Sequence, residues 1–269
     1  MLWKYEISIF PKSAALAYNN LGFIYSGRGL VDEAIEQYEK ALAINPNYDS
    51  ALANLGNNYR KKGYTGRAKA LYEKAISVNP KHTGALLGLA DVWMSKGLVE
   101  KAVREYAKVL EIDPESAKGH FSLGAAYYEQ GRLEKAISHY KKALALKPEF
   151  SEAYFNLGIS YEKAGMPDNA ISAYEAALKI DPSNSQIHNN LGSIYGAKGM
   201  FEEASREFQR VLELDPENGA AYYNLSGVSF LRQEFALAVE YCDKALKLNY
   251  PVPEAYLRTL ESYRPSPNP

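Results

Sequence analysis

Apolar side chains recur along this chain at the i, i+3, i+4 and i+7 spacing that gathers one face of an α-helix, and the pattern returns every 34 residues. Pro46, Pro80, Pro114, Pro148, Pro182 and Pro216 mark the period. Counting each unit from 31 residues ahead of its proline gives seven units, beginning at Ala15, Asp49, Thr83, Ala117, Ser151, Ser185 and Gly219. Position 7 is Leu in every unit, from Leu21 through Leu55, Leu89, Leu123, Leu157 and Leu191 to Leu225, and position 20 is always Ala, from Ala34 to Ala238. Position 8 is small: Gly22, Gly56, Ala90, Gly124, Gly158, Gly192 and Ser226. Position 11 is a large aromatic in six units, and position 24 carries Tyr38, Tyr72, Tyr106, Tyr140, Tyr174 and Phe208.

This spacing predicts a helical hairpin per unit. Positions 4, 7, 8 and 11 share one face of a first helix, and positions 20, 24 and 27 mark a second. Small residues at positions 8 and 20 let the two backbones approach, while the aromatics at 11 and 24 fill the space that remains. The 22 tyrosines are accounted for in this way. Gly29, Gly63, Gly97, Gly131, Gly165 and Gly199 end the first helices, since glycine accepts a left-handed backbone beyond a helix terminus. Asp32, Glu134, Asp168 and Glu202 stand at the start of second helices, where the helix dipole favours negative charge, and Asp49, Ser116, Ser151 and Ser185 fall where a first helix needs a cap. A hairpin this short cannot bury enough surface to fold alone, so each unit must stack on its neighbours.

The pattern resembles the tetratricopeptide repeat over Ala15–Val252. The resemblance implies an all-α, right-handed superhelical solenoid whose concave side is lined by the first helices. The expected organisation is a partial N-terminal helix over residues 1–14, the remnant of a preceding repeat. Seven repeats follow over 15–252, then a capping helix over 253–263 and a disordered tail over 264–269. The seventh repeat has drifted, with Ser229 in place of an aromatic, Gln233 in place of glycine, Cys242 in place of Tyr and its proline, Pro251, one residue late. Leu2 to Pro11 can be aligned with Gln37 onward, which reads as the last turns of an earlier second helix.

Composition narrows the function. Thirty-one Lys and Arg against thirty-two Asp and Glu leave a net charge of −1, which removes the sequence-independent attraction to nucleic acid. Cys242 is the only cysteine, so neither an internal disulfide nor a multi-cysteine metal site can form. No stretch is apolar for long enough to insert in a membrane, and Met1–Phe10 lacks the pattern of a signal peptide. A cytoplasmic location is the default expectation.

Catalytic chemistry has little to build on. His120 and His188 occupy position 4 on the buried face, His139 lies on a second helix and His82 in a loop, with no metal-binding spacing among them. Gly27-Arg28-Gly29 lacks the third glycine and the preceding strand of a dinucleotide fingerprint. Cys242 replaces a core aromatic and reads as an inert thiol. The chain reads as non-enzymatic, with no cofactor and no metal.

Positions 2, 5, 6, 9, 12 and 13 lie opposite the core stripe of the first helix and would face the groove. Position 6 is Asn20, Asn54, Asn156, Asn190 and Asn224, interrupted by Gly88 and Ser122. Helix propensity does not favour asparagine, whereas its amide can pair with a peptide N–H and C=O together. The row resembles the asparagine ladder lining the groove of O-linked N-acetylglucosamine transferase, which implies that these five side chains hold an extended backbone. The alternative is that they bridge neighbouring helices of the protein itself. Leu87, Met94, Phe121, Tyr128, Phe155, Ile159, Tyr223 and Phe230 would add apolar contacts, unless curvature buries them against adjacent helices. The carboxylate clamp by which some tetratricopeptide domains grip chaperone C-termini is not assembled: no fifth position is lysine, and Asn57 and Lys118 alone do not make it. Arg60, Lys61, Lys62, Arg67 and Lys69 form a basic run, read as solvated charge.

These features point to a scaffold that holds an extended peptide or partner helix in its groove. Two other readings stand beside it. In one the array self-assembles. In the other it is the soluble accessory part of a membrane-bound enzyme, positioning acceptor proteins outside the cytoplasm. The second rests on Leu2-Trp3, Pro11 and Asn19-Asn20-Leu21-Gly22, which look like the start of arrays that follow the membrane spans of some dolichyl-phosphate-mannose-dependent glycosyltransferase-like proteins.

Overall fold

The computed structural model describes residues 11–264 and, among them, fifteen α-helices and no strand. The described residues divide into two compact units, one ending at Pro148 and the other beginning at Glu149. The first holds four hairpins: α1 (Pro11–Gly27) with α2 (Val31–Ile44), α3 (Asp49–Lys61) with α4 (Thr65–Val78), α5 (Thr83–Ser95) with α6 (Val99–Ile112), and α7 (Ala117–Glu129) with α8 (Leu133–Leu146). The second holds α9 (Ser151–Lys163) with α10 (Pro167–Ile180), α11 (Ser185–Ala197) with α12 (Phe201–Leu214), α13 (Gly219–Leu231) with α14 (Phe235–Lys247), and the short α15 (Glu254–Glu261). Within each unit a helix packs on its hairpin partner and the second helix of one hairpin packs on the first of the next.

The contact that builds each hairpin is a ring under a missing side chain. Tyr38, Tyr72, Tyr140, Tyr174 and Phe208 are buried against Gly22, Gly56, Gly124, Gly158 and Gly192, where an added methyl group would come within 2.5–3.0 Å of the ring. Real carbon contacts settle near 3.5–4.0 Å, so any side chain at position 8 must displace the ring. The glycine makes room for an aromatic side chain of the second helix, where the spacing alone suggested closer backbones. The fully buried alanines at position 20 serve that second purpose. The third hairpin sets Ala90 against Tyr106, both buried. In the seventh both members change together. Cys242 replaces the ring, and the Ser226 hydroxyl fills part of the space, donating to the Ala238 carbonyl at 2.7 Å and meeting the Tyr256 hydroxyl at 2.9 Å.

Turns follow the same repeat. Six glycines at position 15 take φ between 68° and 80°, and Gln233 in the seventh hairpin takes 64°, so the turn geometry outlasts the residue that suits it. At position 10, where Val92, Ala126, Ile194 and Val228 fill the seam between hairpins, the third helix carries Asn58. Its Nδ2 donates to the Asn54 carbonyl at 2.9 Å, while its buried Oδ1 has no partner.

At the C-terminal end Leu260 of α15 is fully buried with Ala238, Val239 and Cys242. Tyr263 stacks on Phe235 with ring centroids 4.0 Å apart. Arg264, which the sequence assigned to the start of a tail, is held by Asp243 through two bonds of 3.1 and 2.6 Å. The rest of that tail, 265–269, and residues 1–10 of the expected N-terminal remnant lie outside the described residues; residues 11–14 are the first turn of α1.

Two outcomes test this packing. Cys242→Tyr should lower the free energy of unfolding by about 1–3 kcal/mol through overpacking. Adding Ser226→Gly should return at least about 1 kcal/mol of it in a urea-denaturation cycle. Asn58→Val, which removes the orphan carbonyl, should raise stability by roughly 1 kcal/mol in the same assay.

Candidate functional site

The first helices present the predicted groove residues, but the amide row is partly engaged by the protein itself. Asn54 donates to the Asn19 Oδ1 at 3.2 Å, and Asn224 donates to the Asn189 Oδ1 at 3.1 Å. Both are the same bond: position 6 of one repeat to position 5 of the repeat before. Asn190 instead donates at 3.1 Å to the hydroxyl of Tyr174, which in turn donates to the Glu162 carboxylate at 3.1 Å. Asn57 accepts from the Tyr72 hydroxyl at 2.7 Å, as Asp91 does from Tyr106. The buried position-24 rings thus reach the first-helix face by their hydroxyls. Burial and the Asp91 carboxylate push the Tyr106 phenol well above its usual range, and burial pushes Tyr38 up to about 12. Asn20 is exposed and Asn156 half-buried.

The apolar candidates separate in the same way. Leu87, expected in the open groove, is buried in the core with Leu86 and Tyr106, because position 5 faces the seam between hairpins as well as the groove. Met94 packs on that core. Phe121 and Phe155 lay their rings against Tyr140 and Tyr174, at 5.8 and 6.0 Å between centroids. Tyr223 and Phe230 are covered in part by the chain that follows α14, Tyr223 by Tyr250 and Tyr256, Phe230 by Tyr256 and Tyr263. Tyr128 is half-buried.

One group of candidates does converge. In the second unit Phe155 and Ile159 of α9 form the apolar wall of a cavity of about 380 Å³ whose other side carries Gln186, Asn189 and Asn190 of α11, with Asn218 at the head of α13. Its remaining lining is Ser185 of α11, Val211 of α12 and Ala220 of α13, so it lies across the first helices of three successive hairpins. An apolar wall facing several carboxamides can seat an apolar side chain while pairing with the backbone beside it.

Family models described as tetratricopeptide repeat or TPR repeat match residues 15–48, 49–82, 90–131, 124–165, 151–184, 173–204 and 189–251. The chain belongs to the tetratricopeptide repeat family. Among solved structures it is similar to MamA, at 30% identity over 62% of this chain and 97% of that one, with a TM-score of 0.57. It is also similar to Pseudomonas aeruginosa PilF, at 23% identity over 80% and 97% with a TM-score of 0.68. YrrB, described as a TPR protein with an unusual peptide-binding site, matches at 24% identity over 68% and 95% with a TM-score of 0.57. The last two show the fold alone. No curated protein matches the chain.

The remaining polar features of this tetratricopeptide array are internal. Each cation of the basic run meets a partner: Arg60 lies 3.4 Å from Asp91, Lys62 2.5 Å from Asp32 and Lys69 2.9 Å from Glu73, Lys61 reaches the Ser26 hydroxyl at 3.4 Å, and Arg67 covers the Tyr59 and Tyr64 rings. Cys242 is buried, which pushes its thiol up and away from reactivity. His82 caps α5 by accepting from the Ala85 N–H at 3.0 Å. Among the described residues no group of three or more His, Cys, Asp and Glu is placed to hold a metal ion, and no helix is long and apolar enough to cross a membrane.

The groove pattern puts Gln186 and Asn189 at positions 2 and 5 without singling them out as site residues, and Asn218, just ahead of α13, falls outside it. A signal was available for Asn189: asparagine stands at position 5 only in the first and sixth repeats, and each is followed by a repeat with asparagine at position 6. Such bonds between partly buried amides are worth about 0.5–1.5 kcal/mol. Asn54→Ala and Asn224→Ala should each cost no more than about 1 kcal/mol in urea denaturation, a loss small enough for a ligand to recover by taking over the same donors.

Proposed function

We propose that this protein is a non-catalytic scaffold that takes an extended peptide of a partner protein on its first-helix face, with the cavity of the second unit as the anchoring subsite. The observation that supports it is the cavity itself, where Phe155 and Ile159 oppose Gln186, Asn189, Asn190 and Asn218. Asn218 is engaged as the cap of α13, accepting from the Ala221 N–H at 3.0 Å and donating to Asp215 at 3.1 Å, so the amide capacity beside the apolar wall comes from α11. Asn190 spends one N–H on Tyr174. Its second N–H and its carbonyl stay available to a peptide bond. In this reading the ladder is shorter than the repeat pattern suggests. Asn54 and Asn224 brace neighbouring helices, Asn156 and Asn190 flank the anchor, and Asn20 and Asn57 belong to the first unit and take no part in the anchor.

A displayed library of random peptides, panned against the full chain, tests it. Enriched peptides should share a large apolar residue. The Phe155→Ala/Ile159→Ala double variant should weaken them at least about tenfold and Asn190→Ala about fivefold, whereas Asn20→Ala should leave affinity unchanged in fluorescence anisotropy. Peptides whose affinity ignores the double variant would place the binding face elsewhere.

A further inference from the structure

Two histidines at the same repeat position carry the same first bond and opposite second ones. His120 and His188 are both buried at position 4. The Nε2–H of His120 donates to the Pro114 carbonyl at 3.1 Å, and that of His188 donates to the Pro182 carbonyl at 3.2 Å. A carbonyl oxygen can only accept, so Nε2 is protonated in both rings. The other nitrogen meets position 23 of its own hairpin. For His188 this is Glu207, whose carboxylate lies 2.6 Å from Nδ1. For His120 it is His139, whose Nδ1 lies 3.0 Å from the His120 Nδ1.

The two sites therefore answer protons differently. A doubly protonated His188 has an acceptor at each nitrogen. The neutral His120–His139 pair is held by one directed bond, from the Nδ1–H of His139 to the lone pair on Nδ1 of His120. A first added proton can enter at Nε2 of His139 and leave that bond in place. A second has only the His120 Nδ1 to go to, and there it sets two N–H groups against each other. The charged groups acting on the pair are Lys142, which faces both rings, and Lys135, both from α8. From α7 comes the Tyr127 ring, 5.4 Å from His139, and from the loop before α7 the Pro114 carbonyl. Two imidazoles beside two ammonium groups are a poor cation site, and among the described residues the charged groups that act on the pair are cations, with no carboxylate to balance the added charge.

We infer that the His120–His139 pair is an acid-released latch on the α7–α8 hairpin: the closed arrangement holds at most one extra proton, whereas the opened hairpin lets both rings charge, so acid favours opening. Burial, then the His120 neighbour and the lysines, hold His139 down to about 4, and burial lowers His120 as well. Groups depressed in the folded state take up protons in the unfolded state first, so the stability they contribute above their ordinary value of 6.5 is lost as pH falls from there toward 4. His120 adjoins Phe121, whose ring rests on Tyr140, the neighbour of His139, so release loosens the first-helix face at this repeat.

Hydrogen exchange of the full chain, followed by mass spectrometry at pH 7 and pH 4.5 and corrected for the intrinsic pH dependence, reads the latch directly. Protection in peptides spanning residues 117–146 should fall at least tenfold more than in the equivalent residues 185–214. His139→Glu, which rebuilds the Glu207 arrangement, should abolish the difference, and His139→Gln, uncharged at both pH values, should reduce it. An equal loss in both hairpins of the wild-type chain, or an unchanged difference in both variants, overturns the inference.

Discussion

Everything in this molecule is arranged around a ring that occupies the place of an absent side chain. The aromatic at position 24 lies where position 8 has no Cβ, and a methyl group there would approach it to 2.5–3.0 Å in five of the seven hairpins. Full burial of such a ring contributes about 2–3 kcal/mol, against about 1 kcal/mol for a partly buried hydrogen bond. Ring packing therefore decides how the two helices of a repeat meet, and the amides on the first-helix face adapt to what it leaves. The seventh repeat shows the rule by keeping its sense: Ser226 enters only where Cys242 has withdrawn the ring.

The hydroxyls of those rings link the core to the candidate binding face. Tyr72, Tyr106 and Tyr174 emerge beside Asn57, Asp91 and Glu162, and Tyr174 also receives Asn190. A side chain that grips a ligand is in this way oriented by a group whose position the core sets. The same link explains why the asparagine row is not uniform. Where a neighbouring repeat offers Asn19 or Asn189 the amide turns to it, and where it offers Tyr174 the amide takes the hydroxyl.

The two histidine sites make a related point about repeats. Both hairpins carry the proline carbonyl that meets the ring, and they differ at position 23, where one has histidine and the other glutamate. Near-identical scaffolds hold both versions, and each serves as the reference for the other.

The chain alone determined the fold class, because the 34-residue period repeats the same short-range pattern of Leu, Gly, Ala and Tyr until chance is excluded. It also predicted which side chains share one side of each first helix, since that depends only on helical geometry. What Asn54, Asn190 and Asn224 bond to, why Leu87 is buried, and how Phe155 and Ile159 come to share a cavity with Asn189 and Asn218 were decided by tertiary structure. These contacts join residues from different hairpins. Side chains about 35 residues apart along the chain meet only when one hairpin has settled on the next, and which of them meet depends on the volume of the rings between.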